Sequence, residues 1–340
     1  MSFTMSDEAT MRDKEQLKLL NKLAETIDTT SSLEEAVNTL SKVMAQFQTN
    51  TGIQHVDEVI SGRDSQNAER SMMLDPSMLS KYKMYFEAWL GIPIEQMAKK
   101  TGVSISSHPS KRRKPKGWLV YIPVCALETD KAVFISCIPE WEEEIREALC
   151  DASVVDAVPK LREYAKRSGV LVDDYHRFYG LEELGPQIDL SDAVLLDTHH
   201  FNQYWAFCSK VYPAMYTLIT PDDQMVEDYN EMVSQKLHYC VIKGGEIVSM
   251  TSSERVAHKP TGIVNLGINT LNEHRRNGYA TTTCAAFIVN AINQGLTPTW
   301  VCEFDNHISQ LLAEKLGFRW LGNMYSISTL KESWDSSIPG

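Results

Sequence analysis

Apolar residues recur at helical spacing along the first part of the chain and give way to β-rich runs further on. Leu17, Leu20, Leu23 and Ile27 share one side of a helix predicted over residues 13–28, with charge on the other side. Ser32-Leu33-Glu34-Glu35 has the form of a capping box and predicts a second helix from Ser32 to Gln48. Pro76 introduces a third, through Tyr82, Phe86 and Trp89. Residues 117–126 (GWLVYIPVCA) and 131–138 (KAVFISCI) are rich in β-branched and aromatic side chains, and read as strands around a turn at Glu128-Thr129-Asp130. Helices are expected at 140–151 and 156–168. The segment from Gly180 to Leu190, with two glycines and a proline, is the expected domain boundary.

Beyond that segment the rhythm changes. Residues 198–209 and 221–235 read as helices, and strands at 238–242 and 247–254 flank Gly244-Gly245-Glu246 as a hairpin. A strand at 262–269 leads through a polar stretch to Gly278, followed by a helix at 280–293. A strand at 299–303, a helix at 306–316 and a closing strand at 325–330 complete the order. At about 150 residues per domain, 340 residues predict two domains, 1–185 and 190–330.

Composition narrows the setting. With 43% hydrophobic and 23% charged residues the chain can bury a core without staples. A formal charge of −12 counts against general affinity for nucleic acid or anionic membrane and suits a cationic substrate. The seven cysteines are scattered singly, so neither a zinc site nor a disulfide framework is indicated. The N-terminal MSFTMSDEATMRDKEQ is unlike a secretory signal, and apolar runs such as Cys284 to Ile292 fall short of the ~20 residues that span a bilayer. A cytoplasmic, reducing setting is expected, with no membrane and no metal, and the oligomeric state is left open.

The chemistry concentrates in Arg275-Arg276-Asn277-Gly278-Tyr279-Ala280, between a strand and a helix. A loop turning directly into a helix presents N–H groups without intrahelical acceptors, and the macrodipole adds partial positive charge. Such an end binds phosphate oxygens. Gly278 lets the backbone approach a ligand, Ala280 keeps the next position small, and the arginines add full charge. The alternative is an exposed basic turn ahead of an ordinary helix.

The loop resembles the acyl-CoA-binding signature Q/R-x-x-G-x-G/A of GNAT-type acetyltransferases, with Arg275, Gly278 and Ala280 at its fixed positions. Downstream, Asn306-His307-Ile308-Ser309 opens a helix ending in Ala313-Glu314-Lys315-Leu316-Gly317-Phe318, similar to the family's N-x-x-[AS]…GF segment. The resemblance covers about 140 residues of the C-terminal half. It implies an α/β fold: a mixed, mostly antiparallel sheet with splayed central strands and helices on both faces. The N-terminal half would be an α/β accessory domain or a degenerate copy of that fold, building one wall of an amine pocket.

The resemblance further implies acetyl-CoA as co-substrate and a primary amine of a small molecule as acceptor. Strands 262–269 and 299–303 would part to admit the thioester. Backbone groups of Ile268, Asn269 and Thr270 would pair with the pantetheine arm as an added strand does. The amides from Arg276 through Asn277, Gly278, Tyr279 and Ala280 to Thr281 would hold the pyrophosphate, with Arg275 alongside. Asn306 would bond the coenzyme or simply cap its helix, and Ser309 lies one turn on.

Two departures stand out. Many members carry a tyrosine acid four residues before the terminal Gly-Phe, where this chain has Ala313; Tyr325 or Ser309 would supply it, or the thiol leaves unaided. Where some members place a glutamate base, this chain has Asn265, leaving Glu303 as first choice, with Glu254 and His274 as further candidates. Cys302 reads as a buried, inert thiol and His199-His200 as helix-start polarity.

Two other readings compete: a non-catalytic acyl-CoA sensor and a DNA-binding regulator acting through residues 94–116. There Ile94 to Ser104 (IEQMAKKTGVS) resembles a helix-turn-helix core and is followed by the basic run Lys111 to Lys116. An uncharacterised N-terminal half ahead of one such domain also resembles bacterial self-resistance acetyltransferases, which act on amine-bearing antibiotics.

Overall fold

The computed structural model describes residues 76–93, 101–112, 121–167, 172–185, 188–216, 220–254 and 262–329. The chain divides into two compact units, Met1–Ser71 and Met72–Gly340, and every described residue belongs to the second. The helices expected at 13–28 and 32–48 lie outside the described residues.

Helix α1 (Pro76–Leu90) precedes strands β1 (Gly102–Ser107), β2 (Tyr121–Glu128) and β3 (Ala132–Cys137). Helices α2 (Glu142–Ala148) and α3 (Val154–Arg167) lead to strand β4 (Val172–Leu181) and the short β5 (Val194–Leu195). Then come α4 (Phe201–Val211), the single turn α5 (Pro213–Tyr216), α6 (Asp223–Ser234), β6 (Tyr239–Lys243), β7 (Glu246–Glu254) and β8 (Ile263–Thr270). Helix α7 (Tyr279–Asn293), strand β9 (Thr297–Glu303), helix α8 (His307–Lys315) and strand β10 (Phe318–Thr329) follow.

The ten strands among the described residues join one sheet in the order β1-β3-β2-β10-β4-β9-β8-β7-β6-β5. The pairs β1–β3 and β8–β9 are parallel, and every other neighbouring pair is antiparallel. Strands from both sides of the expected boundary segment, Gly180 to Leu190, belong to this one sheet. Strand β4 lies between β9 and β10, and β10 lies between β4 and β2, so strands of the two halves alternate.

Helices cover both faces. On one, α7 and α8 bury Cys284, Phe287, Ile288, Ala313 and Leu316 against Leu266, Trp300 and Tyr179, while α2 and α3 cover Val124, Ile135 and Tyr325. On the other, α1 packs Tyr82, Tyr85, Phe86 and Trp89 onto Phe178, and α4 and α6 cover Cys240, Ile247 and Met250. Phe178 is fully buried with Tyr82, Tyr85 and Phe86 within 5.6 Å of its ring centre. Burial of such a ring contributes about 1.5–3 kcal/mol.

Two elements correct the sequence reading. Residues Gly102–Ser107, read as part of a helix-turn-helix, form a strand paired in parallel with β3 from Gly102↔Ala132 to Ser107↔Cys137. A backbone committed to a sheet ladder cannot form the turn and recognition helix of that motif. Lys111 of the following basic run turns inward, its ammonium donating to the Trp89 carbonyl and lying 2.9 Å from the Cys125 thiol. The closing strand begins at Phe318, seven residues before the expected Tyr325.

Candidate active site

The start of α7 is built without a side-chain cap. A 3₁₀ turn at Asn272–His274 ends β8, and Arg276 and Gly278 then take φ of 65° and 83°, in the left-handed region. Gly278 is the N-cap and makes no side-chain bond to the helix; the Thr282 N–H donates to its carbonyl at 3.1 Å. The amides of Tyr279, Ala280 and Thr281 therefore point out of the helix end without intrahelical acceptors. A Cβ on Gly278 would meet nothing within 4 Å, so its φ demands glycine and the space before it is open.

The loop braces itself. The Asn277 amide donates to the carbonyls of His274 at 3.1 Å and Arg275 at 3.3 Å, and Arg275 Nε lies 3.4 Å from the Thr270 carbonyl. Arg275 and Arg276 are exposed. Two further cations converge that the sequence did not single out. Lys315 at the end of α8 lies 3.4 Å from the Thr281 hydroxyl, and Lys243 lies 5.5 Å from the Tyr279 ring. Lys243 is bonded to Asp192 at 2.9 Å, and that contact raises its pKa.

Beside this helix start the sheet parts. Strands β8 and β9 pair only at Ile263↔Thr297, Val264↔Pro298 and Asn265↔Thr299. Beyond, β8 stays with β7 up to Thr270↔Ser249, and β9 stays with β4 up to Glu303↔His176. At the point of divergence, Asn265 and Thr299 face each other at 3.4 Å.

Antiparallel alternation tells which backbone groups face the gap. The Leu271 N–H bonds the Val248 carbonyl, so Asn265, Gly267 and Asn269 are the β8 residues bonded to β7. Ile268 and Thr270 turn their N–H and C=O groups toward the gap, and Leu266 its C=O, because the parallel pairing of Asn265 with Thr299 takes the Leu266 N–H. Asn269 was expected there, and the alternation corrects this: its backbone is committed to β7, and Leu266 takes its place. The Asn269 side chain instead donates to the Tyr212 hydroxyl at 2.9 Å. Likewise the Phe304 N–H bonds the Tyr175 carbonyl, which leaves the backbones of Val301 and Glu303 facing the gap from β9.

The remaining candidates fall in different places. Asn306 caps α8, its side chain accepting from the Ser309 N–H at 3.1 Å. The Ser309 hydroxyl accepts from the Trp300 indole at 3.0 Å, fixing α8 to β9. Gly317, at φ 93°, ends that helix where a Cβ would lie 1.8 Å from the Glu183 carbonyl, which accounts physically for the Gly-Phe pair. Glu303 is exposed on the face bearing α1, α4 and α6, beside the gap. Tyr325 is fully buried on the opposite face, two strands from β9, with its ring 6.2 Å from Tyr175. The structure does not bring Glu303 and Tyr325 together, and this corrects the choice of Tyr325 as acid.

Cys302 is buried under α7 and α8, and burial pushes its thiol pKa up. Asp197 caps the turn at Thr198–His200, with His200 Nδ1 at 2.8 Å from its carboxylate. Among the described residues no cluster of three or more His, Cys, Asp or Glu side chains could hold a metal, and no helix is long and apolar enough to cross a membrane. Sequence reasoning missed β4 altogether, and with it His176. Its one signal was the aromatic set Tyr175, Phe178 and Tyr179, whose i, i+3, i+4 spacing reads as helical; in the strand Phe178 and Tyr179 are buried on opposite faces, so no alternation marks it.

Residues 215–327 match the family model described as GNAT acetyltransferase. The uncharacterized N-acetyltransferase YdfB of Bacillus subtilis (strain 168) is 31% identical over 90 residues, which is 26% of this chain and 33% of that protein. The chain thus spans about a third of the length of the curated relative it matches. Among solved structures, a GNAT-family acetyltransferase from Colwellia psychrerythraea is 14% identical, with a TM-score of 0.41, over 74% of this chain and 97% of its own. A GCN5-related N-acetyltransferase-like protein from Streptococcus suis 89/1591 is 16% identical, with a TM-score of 0.37, over 74% and 99%.

Proposed function

Because the chain carries a GNAT acetyltransferase domain across residues 215–327, we propose that it is an acyltransferase moving an acetyl group from acetyl-CoA to a primary amine. One observation carries this reading: β8 and β9 part beyond Asn265↔Thr299, beside a helix start with no side-chain cap. That arrangement suits a ligand with a diphosphate at one end and an extended, hydrogen-bonding arm behind it.

The residues present fit acetyl-CoA. The amides of Tyr279, Ala280 and Thr281, with Arg275, Arg276 and Lys315, would hold the diphosphate. The Leu266 carbonyl and the backbones of Ile268 and Thr270 would bond the arm from one side of the gap, and Val301 and Glu303 line the other. Asn306 and Ser309 stand at the start of α8 near that arm. When bound, acetyl-CoA supplies an activated acyl carbonyl.

The chain's own task is then the acceptor. An amine with a pKa near ~10 arrives protonated at neutral pH, so a base must take a proton before attack. Glu303 is exposed beside the gap, on the side from which an acceptor would reach it. No acid is required of Tyr325, since a thiolate departs without help. The acidic balance of the chain, −12, favours cationic acceptors, and an amine-bearing antibiotic is the acceptor class we propose.

Gly278→Glu tests the reading. It should weaken acetyl-CoA binding, measured by calorimetry, by more than ~100-fold through like-charge repulsion at the helix start. Its melting temperature should fall only slightly, as expected for strain at one residue of positive φ. Normal binding by this variant would remove the diphosphate from the start of α7. Free-thiol release with a panel of cationic antibiotics and polyamines identifies the acceptor. Binding without thiol release for any amine is the result expected of a sensor.

A further inference from the structure

We propose that His176, on the strand that the N-terminal half inserts beside β9, takes the proton from the acceptor amine, and that Glu303 is the carboxylate positioning its ring. This rests on the acetyltransfer reading and deepens it: the catalytic site is composite, with its base from outside the domain that binds the coenzyme.

The argument begins with register. His176 pairs directly with Glu303 across β4 and β9. The adjacent pair, Tyr175 and Phe304, is joined by a backbone hydrogen bond of 3.1 Å. In an antiparallel ladder bonded and non-bonded pairs alternate, so His176 and Glu303 form a non-bonded pair. There the Cα atoms approach to about 4.5 Å and side chains on the same face are closest.

The face is the one on which an acceptor would approach. Val301 and Phe178, each two residues away on the same strands, pack against α1, and Asn269 across the gap reaches Tyr212 at the end of α4. The side chains of His176, Glu303 and Asn269 therefore stand on one face around the mouth of the gap. Glu303 is exposed and His176 half-buried. On its other side His176 has Met324 of β10 in register, buried beneath the Tyr85 hydroxyl at 3.5 Å. One flank of His176 is thus apolar, and on the other its register partner is Glu303 of β9.

The chemistry favours the imidazole for the transfer itself. An ordinary imidazole is a stronger base than an ordinary carboxylate by about two pKa units, so proton transfer from an ammonium is roughly a hundredfold less unfavourable. In the step, one proton passes from the substrate ammonium to the His176 ring. The amine nitrogen bonds the acyl carbon, the carbon–sulfur bond breaks, and the thiolate leaves with its electron pair. The second proton on nitrogen passes to solvent water as the amide forms. The charged and titratable groups that register and face place near His176 are Glu303 on β9, Asp174 two residues away on its own strand, and Tyr85 on α1, which packs on Met324 and Phe178; Met324 on β10 carries no charge.

The first test needs no substrate. The His176 ring signal, assigned as the one missing from His176→Gln, is recorded by NMR at neutral pH in the wild type, Glu303→Gln and Asp174→Asn. Loss of the Glu303 carboxylate should shift that signal, and loss of the Asp174 carboxylate should shift it less. No change with Glu303→Gln, or a larger change with Asp174→Asn, overturns the pairing. In the second test, His176→Gln should bind acetyl-CoA as the wild type does and melt normally. Its kcat/KM for the amine should fall by ~100-fold and lose the limb that rises with pH. A variant keeping that limb and its rate overturns the base assignment while leaving acetyltransfer intact. Wild-type protein that binds no acetyl-CoA overturns the acetyltransfer reading, and the base assignment falls with it.

Discussion

Two seams of the same sheet behave in opposite ways. Between β4 and β10 the register runs from Leu181↔Phe318 to Val172↔Ser328, with one irregularity at Trp320/Gly322. Between β8 and β9 it stops after Asn265↔Thr299, although both strands continue. The difference lies in the neighbours. Strand β4 has a partner on each side and aromatic burial on each face, with Phe178 under α1 and Tyr179 near α8. Strands β8 and β9 each hold their outer partner and have none between them beyond the divergence. A sheet can thus join two halves of a chain through one seam and leave another open, because each strand needs only one neighbour to stay ordered.

The contrast can be broken first at the closed seam. Phe178→Ala should destabilise the fold by about 3–5 kcal/mol, measured by denaturant unfolding, because it removes a ring buried among Tyr82, Tyr85 and Phe86. A loss below ~1 kcal/mol would show that α1 is not held to β4 through this ring.

Acid should act on the other side. His238, just before β6, is buried, and burial pushes its pKa down to about 4. Its unfolded value is near ~6.5, so between these values the unfolded chain binds the extra proton. Stability is retained above the upper value and lost as pH falls toward the lower, by on the order of 3 kcal/mol. His238→Gln should flatten the melting temperature across that window; an unchanged acid slope would place the lability elsewhere.

A smaller effect comes from Tyr82, whose hydroxyl donates to the Pro298 carbonyl on β9 and accepts from the Leu181 N–H on β4, each at 2.7 Å. Tyr82→Phe leaves that buried N–H without its partner and should cost about 1–3 kcal/mol in unfolding experiments. The smallest effect is expected beside the open seam. Asn306→Ala should lose about 1 kcal/mol as a helix cap. A coenzyme Kd that rises as well shows that its amide also reaches the ligand.

Much of the site was legible in the residues. The glycine at 278 is demanded by a positive φ, the arginines and the helix periodicity after it are local, and Gly244-Gly245 marks the hairpin directly. Asn306 reads as a cap because capping is settled within one turn. Helix starts and tight turns depend on neighbours three or four residues apart, so sequence carries them.

Strand β4 was not legible, nor was its place beside β9. VDDYHRFYGL has no clean alternation, because helices bury aromatic residues on both of its faces and its charged residues lie toward one end. Tyr325 looked available in sequence and is fully buried in the fold. The sequence alone determined the loop, the helix start and the order of elements around them. The place of β4 between β9 and β10, the backbone groups it leaves facing the gap from β9, and that His176 stands opposite Glu303 were decided by pairing between residues more than a hundred positions apart, a non-local choice that no local pattern encodes.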